Sequence, residues 1–320
     1  MSPDFPDKPL SPKAQRRVEL ATSRLYRLRT DEELAGDVRR IARGRVERAV
    51  EQLRNANGDP ATAIHEARKD MKKLRSLLRL VRADLGKQRY RAENSRYRDA
   101  ARLLSGARDA AVKLATLAAL RERYTDEAPA AERLEQTLRE EHERVAADGE
   151  ALAARMEQAA QAIETGAVDD WSLDDDGFEL FAAGLERAYR RGRDGMRAVR
   201  DDPDDETIHE WRKRVKDLWY DLRLLRDAWP EPLKATADEA HELTDLLGDH
   251  HDLAVLIDDA RAKAPDDPDT EALAKLAARR QEELLGQAFR IGDRLYAEKP
   301  SQFTRRIERY WETWRRGAAQ

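Results

Sequence analysis

The sequence predicts an all-α fold: two antiparallel four-helix bundles related by an internal duplication with pseudo-twofold symmetry. Three observations predict it. Ala, Leu, Arg and Glu dominate and β-branched alternation is almost absent, so the periodicity is helical and no strand is expected. Glycine and proline sit mostly between the long periodic stretches, where they end helices. The third observation is a repeat: "IHEARKDMKKLRSLLRLVR" from Ile64 returns as "IHEWRKRVKDLWYDLRLLR" from Ile208, 144 positions later. Eleven of the nineteen positions are identical, against roughly one or two expected from ordinary residue frequencies.

At 320 residues the chain has room for two domains that each bury a core. Residues 1–30 read as a leader with a short helix over 12–29, because "MSPDFPDKPLSPKAQRR" lacks the apolar centre of a signal peptide. Residues 31–169 form the first bundle, with helices over 31–55, 60–83, 90–122 and 128–163. "TGAVDDWSLDDD" from Thr165 has no helical period and suits a linker, with the boundary near Asp170. Residues 170–320 form the second bundle, with helices over 175–199, 205–228, 231–263, 268–297 and 301–316. Asp59-Pro60 and Asp202-Pro203 each offer an N-cap acceptor before a proline at the first helical position. A second related pair keeps the same order of parts: "LLSGARDAAV" from Leu103 aligns with "LLGDHHDLAV" from Leu246, bringing Asp109 onto Asp252.

Charge alone points to no partner, since 60 Lys+Arg face 64 Asp+Glu. The absence of cysteine excludes disulfides, thiolate nucleophiles and cysteine-ligated metals. No apolar run approaches the roughly twenty residues of a membrane helix, and the expected location is cytoplasmic. Only 13 of the 60 basic residues are lysine, a preference that suits phosphate oxygens and that GC-rich coding also produces.

On a helical wheel with His65 at zero, Arg68, Lys69, Lys72 and Arg79 fall between about -60° and +40°, while Ala67, Met71, Leu74, Leu78 and Val81 cluster near about 160° to 240°. The second repeat gives the same wheel, with His209, Arg212, Lys213, Lys216 and Arg223 opposite Trp211, Val215, Leu218, Leu222 and Leu225. Such a stripe usually means a solvated face. Elsewhere in this chain acids and bases alternate, but the first stripe holds no Asp or Glu and the second only Asp227 at its end. Uncompensated like charge repels itself, so the expectation is an anion bound there. His65 and His209 lie on the cationic side, where an imidazole titrating near about 6.5 would gain a proton beside phosphate.

The run His65-x-x-Arg68-x-x-x-Lys72-Lys73-Leu74-Arg75, its partner from His209, and the later "LSGARDAAV" and "LLGDHHDLAV" segments resemble the CHAD family, the conserved histidine α-helical domain. The resemblance runs from about Asp31 onward. It implies two four-helix bundles, a basic cavity between them, and binding of inorganic polyphosphate without catalysis or cofactor. It implies ligand contacts at His65, Arg68, Lys69, Lys72, Arg75, Arg79, His209, Arg212, Lys213, Lys216 and Arg223, and it leaves open whether the cellular role is granule association, recruitment of another enzyme or storage regulation. Asp217 and Trp219 stand where the first half has Lys73 and Arg75, so the two sides should differ. The E-x-E-x-K strand of an attached triphosphate tunnel domain does not occur in this sequence.

Three other readings compete. A metal-dependent phosphohydrolase would draw on Asp238, His241, Asp245, Asp249, His250, His251 and Asp252; Asp238, His241, Asp245 and Asp252 can share one helical face, whereas adjacent His250 and His251 cannot. The first-half counterparts of His241 and Asp245 are Arg98 and Arg102, so no matching site is expected there. A nucleic-acid scaffold would need stacking aromatics, for which the second stripe offers Tyr220. A helical scaffold for protein partners is the third. No glycine-rich phosphate loop occurs, and the six tryptophans mostly suit core packing.

Overall fold

At the starts of three described helices an aspartate, Asp59, Asp204 or Asp267, accepts a backbone amide of the first turn. The computed structural model describes residues 26–318 except 31, 57, 105, 148, 167, 175–176 and 265–266, and the backbone alone at 106–109 and 145–147. Among these residues there are eleven α-helices and no strand. They are α1 (Leu34–Arg54), α2 (Pro60–Leu80), α3 (Arg82–Leu103), α4 (Gly106–Arg123), α5 (Glu132–Ala147), α6 (Gly149–Glu164), α7 (Glu179–Asp201), α8 (Asp205–Leu225), α9 (Pro230–Lys263), α10 (Pro268–Leu295) and α11 (Pro300–Ala318).

The caps of α2 and α8 differ. Asp59 accepts from the Thr62 amide at 3.0 Å with Pro60 in the first turn, as expected. In α8 the cap is Asp204, which accepts from the Thr207 amide at 2.7 Å, so the expected Asp202-Pro203 start is corrected by two residues. The Thr207 hydroxyl donates to the Asp202 carbonyl at 2.8 Å, holding Asp202 and Pro203 in the preceding turn.

Other boundaries also shift. The single helix expected over 90–122 divides into α3 and α4, whereas its second-half counterpart α9 runs unbroken for 34 residues. The helix expected over 128–163 likewise divides into α5 and α6. Gly86 adopts φ 71°, which only glycine takes without strain, and it breaks α3 near its start. Of the helix expected over 12–29, residues 26–29 are not helical, and the rest, with the leader, lies outside the described residues.

α1, α2, α3 and α6 pack into one set; α7, α8, α9 and α10 pack into another. α2 and α3 join the sets by packing against α7, and α2 also packs against α8; α4 lies on α9, and α11 covers α7. The apolar burial is not divided at Asp170. One large cluster runs from Tyr26 to Trp311 through both sets, and a smaller one joins Leu117, Leu120 and Leu138 to Leu256, Ile257 and Leu273. The segment read as a linker is tied down: Val168–Asp170 form a 3-10 turn, Trp171 is buried, and Arg39 Nε donates to the Trp171 carbonyl at 3.1 Å. No helix among the described residues is long and apolar enough to cross a membrane.

Candidate functional site

The two duplicated helices separate oil from charge as their wheels require. Ala67, Met71, Leu74, Leu78 and Val81 on α2 and its end, and Trp211, Val215, Leu218, Leu222 and Leu225 on α8, are all buried. Removing these side chains from water fixes the rotation of each helix. His65, Arg68, Lys69, Lys72, Arg75 and Arg79 are then half-buried, as are His209, Arg212, Lys216 and Arg223, while Lys213 is exposed.

Half-burial arises because contacts from each cationic face reach a neighbouring helix. Arg68 donates to the Ala101 carbonyl of α3 at 2.7 Å, and Arg212 donates to the Thr244 carbonyl of α9 at 3.4 Å. Arg75 Nε donates to Asn94 Oδ1 on α3 at 3.1 Å. Burial, and next the neighbouring Arg79, push the Arg75 guanidinium down to about 10. In the second half Trp219 replaces Arg75 and meets the ring of His241 edge-on at 4.4 Å, with Arg223 5.0 Å and Lys216 5.9 Å from the Trp219 ring.

The uncompensated charge expected of the stripes is corrected. Lys69 pairs with Glu66 at 2.8 Å, Lys213 with Glu210 at 2.5 Å, and Arg79 with Asp217 at 2.5 Å. The wheel places Glu66 and Glu210 at about 100° from the histidines, off the stripe, yet a lysine three residues later reaches back to them. Asp217 answers Arg79 from the other helix, a pairing that no single-helix wheel contains. The same seam carries a hydrogen bond from the Ser76 hydroxyl to Asp221 Oδ1 at 3.0 Å, so the duplicated helices touch in their C-terminal halves.

A buried ionic cluster beneath the first stripe went unread. Arg45, fully buried, pairs with Asp70 at 2.8 Å, and Asp70 also forms an ion pair with Arg48 at 3.0 Å and lies 3.6 Å from Lys73. Burial, opposed by Asp70, brings the Lys73 ammonium down to about 7. One signal was present: Asp70 falls at about 140° on the wheel, beside the oily face, and a carboxylate there needs a cation.

His209 does not rest protonated. Burial, and next His251, Lys213 and Arg212, push its imidazole down to about 4, so it is neutral near pH 7. Its ring lies 4.1 Å from that of His251, and its Nδ1 is buried without a hydrogen-bond partner. His250 stands 3.8 Å from Asp205.

Of the residues of the metal reading, Asp238, His241, Asp245 and Asp249 line one surface pocket on α9. His241 pairs with Asp245 at 2.6 Å, and no group of three or more His, Asp or Glu able to hold a metal occurs among the described residues. The side chain of Asp109, aligned with Asp252, lies outside the described residues. Tyr220, offered as a stacking aromatic, is buried at the seam, while Trp229 is the exposed tryptophan and Trp171 and Trp211 sit in the core.

No curated protein matches the chain. The family model of the CHAD domain matches residues 40–261, more than half of the sequence, and that span includes both duplicated helices, the Arg68 and Arg212 anchors and the seam between them. The chain belongs to the CHAD domain family.

Proposed function

We propose that the protein binds inorganic polyphosphate along the cationic faces of α2 and α8 and does not turn it over. In this reading residues 31–169 and 170–320 are two repeats of one helical unit related by a pseudo-twofold axis. The contacts to the polymer come from His65, Arg68, Lys69, Lys72, Arg75 and Arg79 and from His209, Arg212, Lys213, Lys216 and Arg223. The chain acts as a binding module in the cytoplasm.

One observation carries the proposal: the two faces are held in place by the same anchor. Arg68 to Ala101 and Arg212 to Thr244 join positions that correspond in the two repeated segments. A guanidinium pinned to a backbone carbonyl presents its planar fork in a fixed orientation, which suits phosphate oxygens. A half-buried cation has also given up part of its hydration before the polymer arrives, which lowers the cost of contact. The polymer then displaces counterions cumulatively along about 30 Å of helix. The intrahelical carboxylates Glu66 and Glu210 fit this use, because a phosphate can take over the lysine that each one holds at rest.

The test is calorimetric titration with long-chain polyphosphate. Charge reversal at Lys69, Lys72, Lys213 and Lys216 together should weaken binding by more than about a hundredfold, since each lost phosphate contact also forfeits its released counterions. Unchanged affinity in that variant sinks the proposal.

A further inference from the structure

We propose that the chain entering α1 is an autoinhibitory latch: Tyr26 closes the gap between the cationic faces of α2 and α8, and Arg315 of α11 holds it shut. The regulatory role rests on the polyphosphate reading, whereas the latch itself does not. Tyr26 to Thr30, with Glu32 and Glu33, lead into α1 without helical structure, and only Tyr26 and Leu28 among them are buried. The rest of the hold is polar. Arg315 Nη1 donates to the carbonyls of Arg29, Thr30 and Glu32 at 3.1, 2.8 and 2.8 Å. Arg40 donates to the Arg27 carbonyl at 3.0 Å, and Arg27 pairs with Asp227 at 3.4 Å. Both Tyr26 and Arg315 lie outside residues 40–261, the span shared with the family.

Beneath Tyr26 the two stripes approach one another. Burial first, then Asp221 and Tyr220 of α8, push the Tyr26 phenol well up, while Arg223 of α8 and Arg45 of α1 pull the other way. On the α2 side, Lys73 Nζ lies 5.8 Å from the Tyr26 ring, and Lys73 is 2% exposed. Burial above all, then Arg45, Arg223 and Lys69, hold the Lys73 ammonium down to about 7 against the pull of Asp70. Lys69 belongs to the first stripe and Arg223 to the second, so Lys73 stands between them. With Tyr26 lifted, water reaches Lys73 and restores its full charge near pH 7. Lys69, Lys73 and Arg223 then form one cationic track from α2 to α8.

Unfavourable terms sit on the closed side of this balance. The Tyr26 hydroxyl is buried with no hydrogen-bond partner, and so are Nε and Nη2 of Arg45. Each such group has left water without compensation. Lys73 has surrendered part of its charge as well. Opposing them are two buried side chains, Tyr26 and Leu28, and the polar contacts that Arg315 leads. A polyanion that reaches Lys69 and Arg223 also attracts Lys73, and a ligand that binds the open arrangement better shifts the population toward it.

Two substitutions in the full-length chain should act in opposite directions. Arg315→Gln releases three carbonyls and should tighten long-chain polyphosphate binding about tenfold in calorimetric titration, because more of the chain is then open. Tyr26→Phe keeps the ring and removes the stranded hydroxyl, so the closed arrangement gains and affinity should fall about fivefold. A purely structural role would lower stability without moving affinity in both directions. The second readout needs no polyphosphate: acetic anhydride labelling of Lys73, followed by mass spectrometry, tracks the open population. Labelling should be slow in the native chain, at least about fivefold faster in Arg315→Gln and slower in Tyr26→Phe. If the native chain binds no polyphosphate, the polymer reading and the regulatory role fall together, and labelling alone decides the latch. Equal Lys73 labelling in all three proteins, or unchanged affinity in both variants of a chain that does bind, overturns the latch.

Discussion

Arg68 and Arg212, 144 residues apart, each reach across to a backbone carbonyl of the neighbouring helix, Ala101 at 2.7 Å and Thr244 at 3.4 Å. Lysine at either position keeps the charge but loses the planar fork. Arg68→Lys should lower unfolding stability by about 1 kcal/mol, the net worth of a hydrogen bond of this kind, measured by urea titration. Arg212→Lys should cost less, because its bond is longer.

The Arg45–Asp70 pair should be the most sensitive ionic contact in the protein. Asp70→Asn leaves the fully buried Arg45 uncompensated, and Lys73 beside it as well. The expected loss is about 3 to 5 kcal/mol in urea unfolding, the range for breaking one partner of a buried pair. Replacing the exposed Lys213 by Gln should change stability by less than about 0.5 kcal/mol.

Gly184→Ala sets two effects against each other. Alanine favours a helix interior by about 1 kcal/mol over glycine. The added methyl carbon would lie 1.9 Å from the Leu80 carbonyl, so α7 must move off α2. Overpacking of that severity costs about 1 to 3 kcal/mol or more, and the net effect on the thermal midpoint should be a decrease.

Proton linkage at His209 has a definite sign. Its folded value of about 4 lies below the ordinary 6.5, so the folded state favours the neutral ring. The stabilising contribution is complete above pH 6.5 and is lost as pH falls from there toward about 4. Asp37 and Asp221, whose carboxyls burial pushes up, act in the opposite direction, so the readout is a difference. Stability of the native chain should fall more between pH 7 and pH 5 than that of His209→Asn. If polyphosphate seats beside this ring, binding at pH 6 should take up protons, seen as a calorimetric enthalpy that changes with the ionisation heat of the buffer.

Salt dependence reports the polymer contacts one at a time. Lys213→Gln should reduce the slope of log affinity against log salt by about one, and Lys213 is suited to this test because it is exposed.

Much of this was legible because each duplicated helix states its own rotation. The oily residues from Ala67 to Val81, and their counterparts from Trp211 to Leu225, dictate which way the basic residues point, and helical pitch needs no knowledge of the rest of the fold. What escaped was whatever depends on two helices at once. Asp217 lies off the stripe of its own helix yet pairs with Arg79; Tyr220 lies on the stripe yet is buried. The break between α3 and α4 was hidden for a different reason: the second half crosses the equivalent position without one.

The smaller apolar cluster has a consequence for the gene. Leu117 and Leu138 are sheltered by Leu256 and Leu273, from the far side of the midpoint. A transcript ending near Asp170 would encode a polypeptide with a greasy flank and no cover for it, so a half-length product would have to recruit a second copy of itself or be cleared by proteolysis.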